Sequence, residues 1–227
     1  MAANTEVVAQ QALRHHFATM QQQRDSATLG MWIFLVTEIL FFGGLFTAYL
    51  VYRTMHYPAW EMGSEHMSFV LGTTNTVILL TSSLTVALGV HAAQVGKPKV
   101  TAILLLITIL MGFGFLGIKG MEYHEHYVHG LVPGPFWHFN HVDAHGNVPP
   151  NELQLFFYLY FVMTGLHALH VIIGLGILSV IAFFAWRGRY TPQYHTPVHI
   201  AGLYWHFVDL VWIFLYPLLY LIAHTHV

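Results

Sequence analysis

The chain has 227 residues, of which 56% are hydrophobic and 8% charged, against about 25% charged in an ordinary soluble domain. A mean hydropathy of +0.57 leaves more apolar surface than a soluble core of this size buries, so a multi-span membrane protein is expected. A net charge of −2 with 8 Lys and Arg excludes nucleic acid as a partner, and the absence of cysteine excludes disulfides, thiolate nucleophiles, iron–sulfur ligation, CxxCH haem attachment and thiolate copper sites.

Met1–Thr28 is polar and has no apolar core, which predicts a solvated cytoplasmic tail rather than a signal peptide. Within it, Val7–Met20 has the alternative of a short amphipathic helix on the membrane surface. One crossing needs about 20 apolar residues. Five stretches meet that length: 29–52, 69–91, 100–120, 153–186 and 200–223. The fourth is longer than a crossing requires and must tilt or project. None alternates apolar and polar residues as barrel strands do. The expected fold is therefore all-α, an integral membrane bundle of five transmembrane helices forming one domain, 29–227.

Arg14, Arg24, Lys97, Lys99, Arg187 and Arg189 fall on one side of a five-span path, with Arg53 and Lys119 on the other. The positive-inside rule then places the N-terminus in the cytoplasm and the C-terminus outside. The longest connection, 121–152, is external on this reading and is expected to form an ordered cap. It holds His124, His126, His129, His138, His141 and His145, which read as headgroup or subunit contacts rather than metal ligands. No internal repeat supports an inverted-repeat transporter.

An ionisable group at mid-span costs at least ~2.5–3.5 kcal/mol, so the few that are kept need a reason. Glu38 is near the middle of span one and Asp209 is similarly deep in span five. His206 and Asp209, three residues apart, share a helix face, as do His167 and His170 on span four. These five are the buried polar candidates. For Glu38 two readings stand open: a desolvated group that exchanges protons, hydrogen-bonded to a histidine of span four or five, or a packing contact. His206 and Asp209 read as a polar clamp. His167 and His170 read as satisfied buried histidines, since a metal needs three or four ligands. No catalytic, cofactor-binding or metal-binding residue is expected.

Small residues mark close helix approaches: Gly44 with Ala48 on span one, Gly112, Gly114 and Gly117 on span three, and Gly165, Ala168, Gly174 and Gly176 on span four. Tyr204, Trp205, Trp212 and Tyr216 suggest a flank of span five that packs on lipid or on another protein.

Four segments carry a family resemblance. GLYWHFVDLVWIFLY from Gly202 to Tyr216 resembles the last-helix signature of subunit III of the haem-copper oxidases. TGLHALHVIIG from Thr164 to Gly174 resembles the preceding-helix motif. Glu38–Phe42 (EILFF) with Phe46–Leu50 (FTAYL) resembles the glutamate-bearing helix, and Met121–Tyr123 (MEY) the end of the next conserved helix. The matches come in family order and cover most of the chain from Leu29 onward.

The resemblance implies a non-catalytic subunit of a proton-pumping terminal oxidase, in its five-span bacterial form. Haem and copper would lie in partner subunits. The chain would pack on subunit I beside subunit II, hold phospholipid in a cleft, and support assembly and proton uptake in a bacterial cell membrane. Glu38 would match the family's buried, carbodiimide-reactive glutamate, and His167, His170, His206 and Asp209 would line the polar interior. The two helices that come first in the seven-span mitochondrial form are missing, which leaves the lipid cleft to be completed by another subunit or left open. His15, His16, Arg24, Asp25 and His91 are candidates for a proton-collecting cytoplasmic surface. Cytochrome c is the expected electron donor. The alternatives are a quinol oxidase or nitric oxide reductase accessory, a histidine-box metalloenzyme, and a small transporter using Glu38 and Asp209.

Overall fold

The computed structural model describes residues 15–135, 137–138 and 148–222. Most of the Val7–Met20 segment, together with His141 and His145, lies outside the described residues. Among the described residues the architecture is all-α. The helices are α1 (Met20–Met55), α2 (Tyr57–Glu65), α3 (Phe69–Gln94), α4 (Pro98–Val128), α5 (Pro150–Trp186) and α6 (Thr196–Tyr220). The five long ones are apolar enough to cross a membrane.

Several helices outrun the apolar runs that announced them. α1 begins nine residues before Leu29 because its polar first turns bond among themselves. Thr19 Oγ1 accepts from the Gln22 N–H at 3.1 Å while Gln22 Oε1 accepts from the Ala18 N–H at 2.9 Å, a reciprocal cap. Gln21 then links Arg24 (2.7 Å) and Asp25 (3.0 Å) one turn on. α4 likewise continues through Met121–Val128, the first part of the expected external connection. α2 lies in the stretch between the first two spans, where no helix was expected. Proline opens α4 and α5 at the first helical position, where its missing N–H costs no hydrogen bond. α3 and α4 end on glycines with positive φ, Gly96 (75°) and Gly130 (69°). The residue after each glycine donates back to the carbonyl five positions earlier, Lys97 to Ala92 and Leu131 to His126, both at 2.9 Å.

The chain divides into two compact units, and every long helix supplies a segment to each. The first is built from the described residues up to Ile39, from Leu79–Phe113 and from His170–Asp209. Its centre is Trp205, fully buried, with Nε1 donating to Ser82 Oγ at 3.0 Å. A Cβ on Gly112 or on Gly174 would come within 3.0 Å of the Trp205 ring, so these two glycines admit the indole. The second unit comprises Leu40–Ile78, Gly114–Leu169 and the described residues from Leu210 onward. Here α2 is pinned by Trp60, edge-on to Phe156 and to Tyr49, and the Tyr49 hydroxyl donates to the Leu218 carbonyl.

Two packing expectations change. Trp205 and Trp212 are fully buried and Tyr204 is 5% exposed, so most of the aromatic flank of α6 packs inside the chain. The reason is that α6 is the most buried of the five spans, where an indole finds both apolar walls and a hydroxyl for its N–H. Gly44 is exposed and has open space around it, as do Gly114, Gly117 and Gly176. Among the described residues they thin no contact.

Candidate functional site

The first unit holds Glu38 and His170 3.2 Å apart, Oε2 to Nε2, with 20% and 14% of their side chains exposed. Tyr204 supports the pair. Its hydroxyl donates to the His170 carbonyl at 3.1 Å and its ring stacks over the imidazole. All three line an open, largely apolar groove of about 720 Å³ whose walls include Met31, Phe34 and Ile173. The groove reaches Thr196 at the start of α6. There it meets a smaller pocket of about 320 Å³ lined by Arg24, Asp25, Thr28, Gln94, His195 and His199. Two members of the expected cytoplasmic proton-collecting surface, Arg24 and Asp25, thus line one pocket. His15, His16 and His91 are exposed and do not line it.

Ser83 is the polar partner of His206, its hydroxyl 2.7 Å from Nδ1. Among the described residues neither carboxyl oxygen of Asp209 has a hydrogen-bond partner. Among the described residues no hydrogen bond joins His206 to Asp209 directly. His167 is 1% exposed in the second unit, edge-on to Phe115 and tilted against Trp212 at 5.2 Å. Among the described residues no group of three His, Asp or Glu side chains is placed to share a metal ion.

A second, heavily bonded polar site among the described residues is not apparent from the sequence alone. Lys119 and Glu122 form an ion pair at 3.1 Å in the second unit, with 3% and 1% of their side chains exposed. The ammonium has three N–H donors, and all three find acceptors: Glu122 Oε1, Tyr160 Oη (3.2 Å) and Tyr220 Oη (2.7 Å). Both tyrosine hydroxyls donate in turn to Glu122 Oε1. The rings of Tyr123, Tyr160, Trp212 and Tyr220 surround Nζ at 5.1–5.5 Å, within cation–π range. The available signal was the Lys-x-x-Glu spacing near the end of an apolar run, where an unpaired lysine is costly.

Comparison with known proteins gives this polar geometry a family. The family described as "Cytochrome c oxidase subunit III" matches residues 4–130 and 154–224. A cytochrome c oxidase subunit 3 from Thermostichus vulcanus is 38% identical over 204 residues, covering 88% of this chain and 89% of the relative. Those of Gallus gallus (33% over 215 residues) and Oncorhynchus mykiss (34% over 214) cover 91% of this chain and 72% of their own lengths. This chain belongs to the cytochrome c oxidase subunit III family. Within subunit III, the four motifs, the Glu38–His170 pair and the Lys119–Glu122 cluster all fall inside the matched residues.

Proposed function

We propose that this chain is the non-catalytic third subunit of a proton-pumping haem-copper oxidase that takes electrons from cytochrome c and reduces O2. It packs on subunit I, beside subunit II, in a bacterial cell membrane, and the redox centres are the partners'. The observation that carries this reading is the Glu38–His170 pair, a carboxyl kept at mid-span and turned onto an apolar groove in a chain of this family. A carboxyl in that position carries a desolvation cost that packing alone does not explain. The pair is instead available to exchange a proton with a neighbouring route.

Sidedness rests on the same charge asymmetry as before, now sharper. Lys119 is neutralised inside the protein by Glu122 and ceases to count as a loop charge. Arg53 is then the one basic residue left on the side opposite the other six, which supports a cytoplasmic N-terminus. α1 is the least buried span, and Leu29, Trp32, Ile33, Val36, Ile39 and Leu40 are all more than half exposed. This face suits a lipid or subunit contact.

The groove and the polar pocket that it meets at Thr196 fit a phospholipid. Arg24, His199 and the N-terminus of α6 attract a phosphate, and the wall from Met31 to Ile177 receives an acyl chain. Asp25 in the same pocket favours a headgroup that also carries an amine.

Comparing the oxidase with and without this chain tests the proposal. The depleted enzyme should keep its haems and its initial electron transfer, take up protons more slowly, and lose activity during sustained turnover. Depletion that removes haem, or that leaves long-term turnover unchanged, would overturn it.

A further inference from the structure

The α3–α4 and α5–α6 connections carry four cations that the role in the oxidase does not use. Lys97 and Lys99 lie on the first and Arg187 and Arg189 on the second, and neither 95–99 nor 187–195 contains an Asp or Glu. All four residues are exposed, and among the described residues none has a carboxylate partner. The two connections turn in the same way. Each passes through a glycine of positive φ, Gly96 (75°) or Gly188 (73°). The next residue, Lys97 or Arg189, donates its N–H to the carbonyl five positions earlier, at 2.9 and 3.1 Å. Ala93 and Ala102, on either side of the first turn, share a buried cluster with Ala185, Tyr190 and Val198, on either side of the second. A Cβ on Gly96 would sit 3.0 Å from Pro192. The four cations are thereby gathered on one rim of the first unit, and none of them lines the groove or the polar pocket described above.

The rim borders an exposed apolar surface. Arg187 and Arg189 turn back along α5 and stack over Phe183 and Phe184, with Cζ 4.3 and 4.9 Å from the ring centroids. Phe183 is 51% exposed and Trp186 60%, and Val100 and Ile103 are exposed in the first turns of α4. A guanidinium stacked on a ring keeps its N–H edge free for paired hydrogen bonds to a phosphate. Cations at headgroup level, with aromatic and apolar side chains beside them, match both the charged and the apolar part of a lipid. An acidic protein segment would satisfy the charges but not the apolar side chains. We propose that Lys97, Lys99, Arg187 and Arg189 form a surface that selects anionic phospholipids, with the headgroup on the rim and the acyl chains along α4 and α5. This surface requires only that the chain spans a membrane, and it stands whichever complex the chain serves.

The test uses the full chain in mild detergent, with native mass spectrometry giving the affinity for added phosphatidylglycerol and, separately, phosphatidylcholine. A lipid in the groove contributes equally to parent and variants, so the change on substitution reports the rim. The parent should prefer phosphatidylglycerol by at least ~5-fold, and added salt should reduce the preference. Lys97→Gln/Lys99→Gln and Arg187→Gln/Arg189→Gln, all at exposed positions, should each remove much of it, and the quadruple variant should abolish it. Arg53→Gln, which removes a cation from the last turn of α1, should leave it intact. Equal affinity of the parent for the two lipids would overturn the proposal, as would a preference that survives in the quadruple variant. A loss as large in Arg53→Gln would reduce the effect to net charge and overturn it too. Displacement of phosphatidylglycerol by equimolar inorganic phosphate would make the rim a free-anion site. Rim variants that keep the lipid preference but shed a partner subunit from the native complex would assign the surface to an acidic protein instead.

Discussion

Lys119 and Glu122, one helical turn apart on α4, are joined at 3.1 Å with almost none of either side chain exposed. The pair is closed into a ring by Tyr160 and Tyr220, each of which accepts from the ammonium and donates to the carboxylate. Segments of α4, α5 and α6 thus meet at one charged point within the second unit. Breaking such a pair leaves a bare charge in a low-dielectric interior.

Lys119→Met alone should therefore cost about 3–5 kcal/mol, because Glu122 stays buried without its counter-ion. Lys119→Met combined with Glu122→Leu should recover much of that loss. Melting of the purified chain as a double-mutant cycle measures the coupling, and simple additivity would count against the pair as a unit.

Tyr220, the bridging tyrosine of α6, should matter more than Tyr216 on the same helix. Tyr220→Phe removes a hydrogen bond to charged groups, worth about 1.5–3 kcal/mol. Tyr216 bonds Thr73 Oγ1 at 2.6 Å, a neutral contact at a half-buried site, so Tyr216→Phe should cost only about 0.5–1.5 kcal/mol. Thermal denaturation of both variants gives the ranking, and the reverse order would refute it.

Glycines two positions apart on α4 should behave in opposite ways. A Cβ at Gly112 would sit 2.6 Å from Leu175 Cδ2 and 3.0 Å from Trp205, whereas Gly114 has nothing within 4 Å. Gly112→Ala should cost about 1–3 kcal/mol by overpacking. Gly114→Ala should be neutral or stabilising by up to about 1 kcal/mol through helix propensity. Equal melting temperatures would show that the Trp205 socket has slack.

For Glu38, the expected behaviour is chemical. Glu38→Gln keeps a hydrogen-bonding group opposite His170 and should leave assembly largely intact while abolishing carbodiimide labelling of this chain. Labelling that persists at the parental level would place the reactive carboxyl elsewhere.

These predictions divide by how readable their basis is in the sequence. The five spans and the interest of Glu38 follow from hydropathy and from the cost of a carboxyl at mid-depth, and both are local properties. Its contact with His170, 132 residues away, was foreseen only as some histidine of span four or five, because helix rotation decides which one. The Lys119 cluster was hidden for a related reason. Its tyrosines lie 41 and 101 residues further along the chain, and a lysine near a span end looks like a loop charge until its partners are seen. The polar first turns of α1 escaped because a hydropathy window is blind to the hydrogen bonds among Gln21, Arg24 and Asp25. Trp205 and Trp212 read as an outer flank because aromatic residues serve equally well at membrane interfaces and in cores.

Membership of an oxidase complex is the central claim, and one purification tests it most directly. The chain is captured from its native membrane in mild detergent, and the eluate is read by haem absorbance and mass spectrometry. Co-purification of haem with a much larger multi-span subunit is the predicted result. A chain that elutes alone and colourless would contradict the account.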